Sequence, residues 1–276
     1  MSDLDMTEYA MGHTSGETDR LGLQDSLYGG HTEFLLRAAG LKEGMRVLDV
    51  GCGTGDVSIA AARVVGPDGH VVGVDMDPGV LTTARANAAA SSVRNVSFEQ
   101  GALPDVELEE PVDAVVGRLI LIHVDDPVAV VKSLRGSLRP GGFMTFQDFN
   151  TSRLRAFPEV PLVTKCQEWI CAGLREAGRN PDMGEQLARV LRAAGFTDPG
   201  VAVGVPTGGP DSDAVTLVVE STRSLMPMIE RSGVADPREV ELDTLHTRLT
   251  KACAESQATL YLPDLVAAWA VLGSGR

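Results

Sequence analysis

The sequence predicts a doubly wound α/β fold with a mostly parallel sheet, and three observations support this. Short apolar runs alternate with helical segments from residue 46 to about residue 148, an order that produces right-handed crossovers. The runs are continuous stretches of Val, Ile, Leu and Phe, as expected for strands buried on both faces. A glycine-rich turn follows the first run, at the strand end where such sheets bind ligands.

The elements follow in chain order. The first 40 residues predict two helical segments, 17–27 and 32–39, and Gly40 ends the second one. We then predict strands at 46–50, 70–75, 95–100, 112–117 and 142–148, and helices at 57–65, 78–90 and 127–138. Residues 139–142, with the sequence Arg-Pro-Gly-Gly, predict a turn.

The pattern is less regular beyond residue 150. It predicts helices at 160–177, 183–194, 214–231 and 239–256, and strands at 200–205 and 262–272. Segments 151–180 and 211–258 exceed what a minimal sheet needs, so we expect them to form a helical substrate cap. The predicted organisation is an N-terminal helical lid at 1–40, a cofactor-binding core at 41–150, and the rest of the sheet with its cap at 151–276.

Composition and charge exclude several classes of partner. The chain of 276 residues carries a net charge of −14, with 24 basic against 38 acidic residues, so nucleic acid is not an expected partner. No apolar run approaches the roughly 20 residues of a membrane span, and the polar N-terminus lacks secretory features, which predicts a cytoplasmic protein away from membranes. The four cysteines, Cys52, Cys166, Cys171 and Cys253, form no metal-binding pattern, so we predict free thiols and no metal.

The most informative feature is the loop after the first strand, Asp49-Val50-Gly51-Cys52-Gly53-Thr54-Gly55. Its glycines allow a sharp turn and let a ligand approach the backbone without meeting Cβ atoms. The next strand ends at Asp75, 20 residues after Gly55. A carboxylate at that place accepts hydrogen bonds from the hydroxyls of an adenosine ribose. The order of loop, helix, strand and acid therefore predicts a nucleoside-containing cofactor.

The loop differs from the dinucleotide fingerprint G-x-G-x-x-G. Its glycines stand at 51, 53 and 55, and Asp56 follows them directly. A carboxylate at the start of the helix repels a pyrophosphate but tolerates a zwitterionic amino acid or a sulfonium. A nicotinamide-dependent oxidoreductase is therefore a disfavoured alternative.

VLDVGCGTGD closely resembles the first motif of the class I S-adenosylmethionine-dependent methyltransferases. VVGVDMDP is similar to their second-strand segment, and VDAVVGRLILIHVDDPVAVVKSLRGSLRPGG resembles the fourth strand and next helix of their small-molecule branch. The resemblance covers about 45–150 and implies S-adenosylmethionine as cofactor. It also implies a seven-stranded, Rossmann-like sheet whose antiparallel last strand is 262–272. EYAMGHTSGETDRLGLQ resembles a segment of bacterial natural-product methyltransferases.

The resemblance implies a set of cofactor-binding residues: Tyr9, Arg20, Gln24, Asp49, Gly51, Cys52, Gly53, Gly55, Asp75, Met76, Gly101, Ala102, Leu103 and Arg118. Within this set Asp49 and the loop glycines bind the amino-acid end, Asp75 binds the ribose, and Met76 packs on the adenine. Arg118 lies beneath the methionine part. The third strand of the family often ends in Gly-Asp, whereas this chain has Gly101-Ala102, so we expect the Ala102 backbone and Leu103 to replace that aspartate.

Methyl transfer from a sulfonium is an in-line displacement that depends mainly on positioning and exclusion of water. If a base is needed, His123 is the first candidate and Asp148 the second, since both follow strands on the ligand side. The structural alternative for His123 is to cap the next helix. Candidate substrate contacts are Tyr28, His31, Asn150 and Trp169, with helix packing as the alternative for His31 and core packing for Trp169.

The predicted function is methyl transfer to a hydrophobic small molecule in natural-product metabolism. Cyclisation or isomerisation on the same fold, with or without methyl transfer, is the first alternative, and a non-catalytic binding protein is another. The sequence leaves open the acceptor atom, which is oxygen, nitrogen or carbon. It also leaves open the oligomeric state, for which a homodimer is one alternative.

Overall fold

The computed structural model describes residues 15–106 and 108–273, which divide into two compact units. The first unit contains the chain up to Leu27, Thr151–Pro181 and Val205–Asp264. The second contains Tyr28–Asn150, Asp182–Gly204 and the chain from Leu265 onward. Among the described residues, no helix has the length and apolar character needed to cross a membrane.

Ten α-helices and ten strands are present in the described part of the chain. The helices are α1 Ser15–Ala39, α2 Asp56–Val65, α3 Pro78–Ala90, α4 Pro127–Leu134, α5 Pro161–Glu176, α6 Met183–Ala193, α7 Asp213–Ser224, α8 Met226–Ser232, α9 Pro237–Val240 and α10 Leu242–Glu255. The strands are β1 Arg46–Val50, β2 His70–Asp75, β3 Val96–Gln100, β4 Val112–Arg118, β5 Leu138–Asn150, β6 Arg155–Phe157, β7 Gly200–Gly204, β8 Thr207–Gly208, β9 Thr259–Tyr261 and β10 Asp264–Val271. Short 3-10 helices cover Leu121–His123, Arg135–Ser137 and Thr151–Arg153.

The second unit is built on a seven-stranded sheet in the order β3-β2-β1-β4-β5-β10-β7. Strands β3, β2, β1, β4 and β5 pair in parallel, whereas β10 runs antiparallel to β7. The predicted doubly wound sheet with an antiparallel last strand is therefore confirmed. Because parallel strands share one carboxyl edge, the ends of β1, β2, β4 and β5 lie along the same side of the sheet.

Helices cover both faces of this sheet. On one face the apolar sides of α1 and α2 pack on residues such as Val47 and Val116. On the other face α4 and α6 pack on residues such as Leu48, Val115 and Met144. Burial on both faces explains why the central strands carry consecutive apolar residues, such as Val47 and Leu48 in β1, rather than alternate ones.

Helix α1 is continuous, whereas the sequence predicts two segments separated near Gly29-Gly30. Two interior glycines weaken a helix by about 1 kcal/mol each. The buried positions Tyr28, Thr32, Leu36 and Ala39 nevertheless keep helical spacing through this region. Tertiary packing of this face outweighs the low local propensity.

Several other predicted boundaries differ from the structure. The predicted helix 214–231 is two helices, because Pro227 in the first turn of α8 has no amide hydrogen to continue α7. The predicted helix 239–256 is divided between α9 and α10 at Glu241, which has a φ of 48°. The predicted turn at 139–142 belongs to β5, which begins at Leu138 and is irregular where it pairs with Val112 and Ala114.

The first unit contains a small antiparallel sheet that the sequence did not predict. Its strands are ordered β6-β9-β8, and β9 pairs antiparallel with both neighbours. Two of these strands have three residues and the third has two. Runs this short carry no periodicity that could be read from the sequence.

Candidate functional site

The glycine loop after β1 has the backbone that its residues predict. Gly51, Gly53 and Gly55 have φ angles of 65°, 51° and 86°, in the left-handed region that strains other residues. The amide of Cys52 donates to the carbonyl oxygen of Val74 at 3.0 Å, which fixes the loop against β2. A Cβ at Gly53 would have no heavy atom within 4 Å. The backbone at Gly53 therefore faces open space, as a ligand-binding loop requires.

Asp75 ends β2 and binds this loop directly. Its Oδ2 accepts a hydrogen bond from the Gly53 amide at 2.9 Å, and its Oδ1 accepts one from the Asp77 amide at 3.0 Å. A carboxylate oxygen accepts more than one hydrogen bond, and Asp75 is only partly buried. The carboxylate thus retains acceptor capacity beside the loop, where a ribose would need it.

The ends of β2 and β3 are held together. The Gly101 amide donates to the carbonyl oxygen of Asp75 at 3.0 Å, and Gln100 Nε2 donates to the carbonyl oxygen of Met76 at 3.1 Å. The Met76 side chain is 52% exposed, so an apolar surface is available next to Asp75. Ala102 is exposed and Leu103 is partly buried.

Asp49 is buried at the end of β1. Ser58 donates to its Oδ2 at 2.5 Å, whereas Oδ1 has no hydrogen-bond partner among the described residues. Burial raises the pKa of Asp49 to about 7, against the opposing effects of the Ser58 bond and the positive charge of Arg118. A buried acceptor without a partner calls for a donor, which a ligand could bring.

The ends of β4 and β5 carry a second set of polar groups. Arg118 Nη1 donates to Thr32 Oγ1 at 2.9 Å, and Gln147 Nε2 donates to the Thr32 carbonyl oxygen at 3.3 Å. Leu119 has a φ of 55°, and its amide donates to the carbonyl oxygen of Gln147 at 2.8 Å. The chain therefore makes a sharp turn immediately after Arg118.

The two candidate bases lie in different environments. His123 ends the 3-10 helix Leu121–His123 and is partly buried. Asp148 is 0% exposed, and burial raises its pKa to about 8, although the nearby amides of Ile122, Phe149 and Leu121 lower it. None of these amides reaches full hydrogen-bond geometry with either carboxyl oxygen. Asp148 is therefore mainly protonated at neutral pH, which is unfavourable for a resident base.

The candidate substrate residues of the second unit are largely engaged in packing. Tyr28 is buried with its ring centroid 4.7 Å from that of Phe149. A Cβ at Gly204 would lie 2.7 Å from Cδ2 of His31, so the imidazole packs on β7. Asn150 Oδ1 accepts a hydrogen bond from the amide of Glu185 at 2.9 Å, which caps the first turn of α6.

The remaining described residues of the prediction lie in the first unit. Trp169 is buried within α5. Arg20 and Gln24 are buried, and Arg20 Nη1 donates to Gln24 Oε1 at 3.0 Å. Tyr9 lies outside the described residues. Within residues 15–106 and 108–273, no three His, Cys, Asp or Glu side chains are grouped as a metal site.

Sequence reasoning missed Thr32, Gln147 and Thr145. All three are buried polar residues, and each interrupts an apolar pattern. Thr32 lies four residues from Tyr28 and from Leu36 on the buried face of α1, and the other two lie in the apolar strand β5. A polar residue on a predicted buried face was the available signal.

A surface groove of about 650 Å³ lies along the sheet edge, at α3 and β3. Its lining includes Arg85, Arg94, Val93 and Phe98. It contains none of the loop glycines and neither Asp49 nor Asp75, so it does not coincide with the site described above.

Comparison with known proteins gives a consistent result. A family model described as a methyltransferase domain matches residues 41–195. A demethylmenaquinone methyltransferase of Geobacillus stearothermophilus is 28% identical over 178 residues, covering 59% of this chain and 76% of that protein. An arsenite methyltransferase of Halobacterium salinarum is 36% identical over 111 residues, covering 40% of this chain but only 28% of that protein.

Solved structures share the fold. The YcgJ protein of Bacillus subtilis aligns with a TM-score of 0.56 at 18% identity, covering 89% of this chain and 100% of that one. A SAM-dependent methyltransferase of Aquifex aeolicus aligns with a TM-score of 0.50 at 20% identity, covering 70% and 91% of the two chains.

Proposed function

The chain belongs to the S-adenosylmethionine-dependent methyltransferases, and we propose that it methylates a hydrophobic small molecule. The observation that carries this proposal is the segment after Arg118. Leu119, Ile120 and Ile122 are partly buried and uncharged at the carboxyl edge, between Arg118 and His123. Ligand sites are mostly apolar with few polar groups, and this segment has that composition.

The residues at the ends of β1 and β2 fit the cofactor. S-adenosylmethionine, when bound, supplies a methyl group on a positively charged sulfur. We propose that the Gly53 backbone admits it, that Asp75 accepts from its ribose hydroxyls, and that Met76 packs on its adenine. Asp49 Oδ1, which is buried without a partner among the described residues, would accept from its ammonium group, and Arg118 would face its carboxylate.

The relatives support an aromatic or quinone-type acceptor. Two demethylmenaquinone methyltransferases, from Geobacillus stearothermophilus and Staphylococcus aureus, are 28% and 29% identical and are each covered over 76% of their length. Methylation of a ring carbon or ring hydroxyl releases a proton. We propose His123 as the group that accepts it, since Asp148 is wholly buried with a pKa of about 8.

Arsenite is a less favoured acceptor, although one relative is an arsenite methyltransferase. Trivalent arsenic is a soft centre, and soft centres bind deprotonated thiols. Within the described residues no trio of potential ligands is grouped. Burial also raises the pKa of Cys166 to about 12 and raises that of Cys253, so both remain thiols.

Incubation of the protein with S-adenosylmethionine and a set of acceptors tests the proposal. The set contains a reduced naphthoquinone without its ring methyl, a simple phenol, arsenite and a phosphorylated sugar. We expect mass spectrometry to find one added methyl group on the aromatic acceptors, and a His123→Gln variant to lose at least about tenfold in kcat with unchanged cofactor affinity.

Transfer to arsenite or to the phosphorylated sugar alone would contradict the proposed substrate class. A product with the same mass as its substrate would instead identify a cyclisation or isomerisation. Placement in natural-product metabolism is supported by the N-terminal resemblance alone, and it stays a prediction.

A further inference from the structure

Thr32 links helix α1 to the carboxyl edge of the sheet through two different groups. Its hydroxyl oxygen accepts from Arg118, 86 residues away, and its carbonyl oxygen accepts from Gln147, 115 residues away. Thr32 is 1% exposed and Gln147 is 2% exposed. The Gln147 contact is therefore buried, and the Arg118 contact is part-buried. Hydrogen bonds to charged groups are stronger where water is partly excluded.

Packing alone does not explain these residues. Thr32 occupies a position on the apolar face of α1, between Tyr28 and Leu36, where Val would fill the same volume. Buried polar groups destabilise a fold unless they are hydrogen-bonded. Outside α1, the polar atoms of Thr32 meet that condition through Arg118 and Gln147 within the described part of the chain. The Thr32 hydroxyl thus serves as a hydrogen-bond acceptor for the Arg118 guanidinium, whereas packing in the core does not require it.

Arg118 and Gln147 also share one face of the sheet with three buried oxygen atoms. Arg118 pairs with Gln147 across β4 and β5, and Val116 pairs with Thr145 and with Asp49. Side chains two residues apart on a strand point to the same face. Asp49 Oδ1, Thr145 Oγ1 and Gln147 Oε1 have no hydrogen-bond partner among the described residues.

This arrangement suits one end of a bound amino acid. Buried oxygens without partners need a donor, and an ammonium group of the cofactor beside Asp49 supplies one for Oδ1. The guanidinium of Arg118 suits the carboxylate, and its position depends on what holds it. Thr32 contacts the guanidinium, and Gln147 contacts the Thr32 backbone.

We propose that Thr32 and Gln147 are positioning residues of the cofactor site. The Thr32 hydroxyl orients the Arg118 guanidinium, and Gln147 fixes the Thr32 backbone and so fixes helix α1 on β5. Cofactor affinity therefore depends on a contact made by the middle of α1. The inference rests on the proposed function in one respect, namely that Arg118 faces the amino-acid end of the cofactor.

A double-mutant cycle on cofactor binding tests the inference. Binding of S-adenosylhomocysteine is measured by calorimetry for Thr32→Val, Arg118→Met and the double variant. We expect Thr32→Val to weaken binding by about tenfold, as for loss of a bond to a charged group. In the Arg118→Met background the same change should weaken binding by less than about twofold. Thr32→Ser, which keeps the hydroxyl, should restore affinity to within about threefold.

The control is Thr222→Val, which removes a buried helical hydroxyl that donates to the Val218 carbonyl oxygen one turn earlier in α7. It should lower the Tm as Thr32→Val does but leave binding unchanged. A lowered Tm with unchanged affinity for Thr32→Val would overturn the positioning role. Equal losses in both backgrounds would also overturn it, since Thr32 would then not act through Arg118.

The cycle separates this inference from the proposed function. Unchanged affinity in Arg118→Met alone would overturn the placement of Arg118, and the positioning role with it. Normal binding with no methyl transfer to any aromatic acceptor would contradict only the proposed substrate class. It would leave the role of Thr32 to the cycle.

Discussion

At the end of β2 the carboxylate of Asp75 accepts hydrogen bonds from the amides of Gly53 and Asp77. At the end of β5 the carboxyl group of Asp148 is wholly buried, with no partner in full hydrogen-bond geometry. The register aligns Asp75 with Gln147, so Asp148 lies one position further along and on the opposite face of the same sheet edge. Asp75 accepts from two backbone amides and is partly exposed. Burial outweighs the nearby backbone amides at Asp148 and favours its protonated form, so its pKa rises to about 8.

The difference suggests that separate parts of this sheet edge suit the cofactor and the methyl acceptor. The ends of β1 and β2 present a preformed loop and an acceptor, which suit recognition of a polar cofactor. The end of β5 buries its acid, and the neighbouring segment after Arg118 is apolar. An uncharged environment at that place suits a hydrophobic acceptor. His123, at the end of the short helix Leu121–His123, is the partly buried titratable side chain of that helix.

The largest expected effect concerns the first acid. Asp75→Ala should weaken binding of S-adenosylhomocysteine on the order of a hundredfold, because two hydrogen bonds to a charged acceptor are lost. Calorimetry measures this directly. Asp77→Ala is the matched control, since Asp77 caps α3 through the Gly79 amide. It should lower stability by about 1 kcal/mol and leave the affinity within about twofold. Equal affinities for both variants would mean that Asp75 does not contact the ribose.

The second prediction concerns the pH dependence of stability that Asp148 produces. The pKa of this group is raised from 3.8 to about 8 in the folded protein, so between these values the folded state holds a proton that the unfolded chain releases. Its contribution to stability is present at low pH and decreases as the pH rises through this range. The slope is at most about 1.4 kcal/mol per pH unit.

Asp148→Asn removes that titration and keeps the shape. Urea unfolding at about pH 5 and about pH 8 measures the free energy of unfolding of both proteins. The value for the variant minus that for the parent should increase as the pH rises. Asp49 has a raised pKa as well, of about 7, but it is present in both proteins and cancels in the difference. Parallel curves for parent and variant would contradict the raised pKa of Asp148.

The smallest expected effect concerns Asn150, which also follows the core of β5. Asn150→Ala should lower the free energy of unfolding by about 1 kcal/mol, because α6 loses the acceptor for the Glu185 amide. The kcat for methyl transfer should not change. Asn150→Asp, which keeps an acceptor oxygen, should recover most of the stability. A loss of kcat without a loss of stability would show that Asn150 contacts the substrate instead.

Much of the fold could be predicted from local sequence. The bounds of β1, β2 and α3 were predicted to the residue, because continuous apolar runs, glycines and the proline at the start of α3 encode them locally. Where prediction failed, a distant contact or a single residue outweighed the local pattern. Continuous α1 passes through Gly29-Gly30 because its buried face packs, and Pro227 divides a helix that periodicity alone joined.

The sequence by itself determined the glycine loop, the acid at the end of β2 and, through its resemblance, the family and the cofactor. These depend on residues close together in the chain and on the order of strands and helices. Only the tertiary structure decided that Asp148 is buried and protonated, that Asn150 caps α6, and that Thr32 meets Arg118 and Gln147. Each of these depends on burial or on partners 35 to 115 residues away, and no local pattern in the chain encodes such contacts.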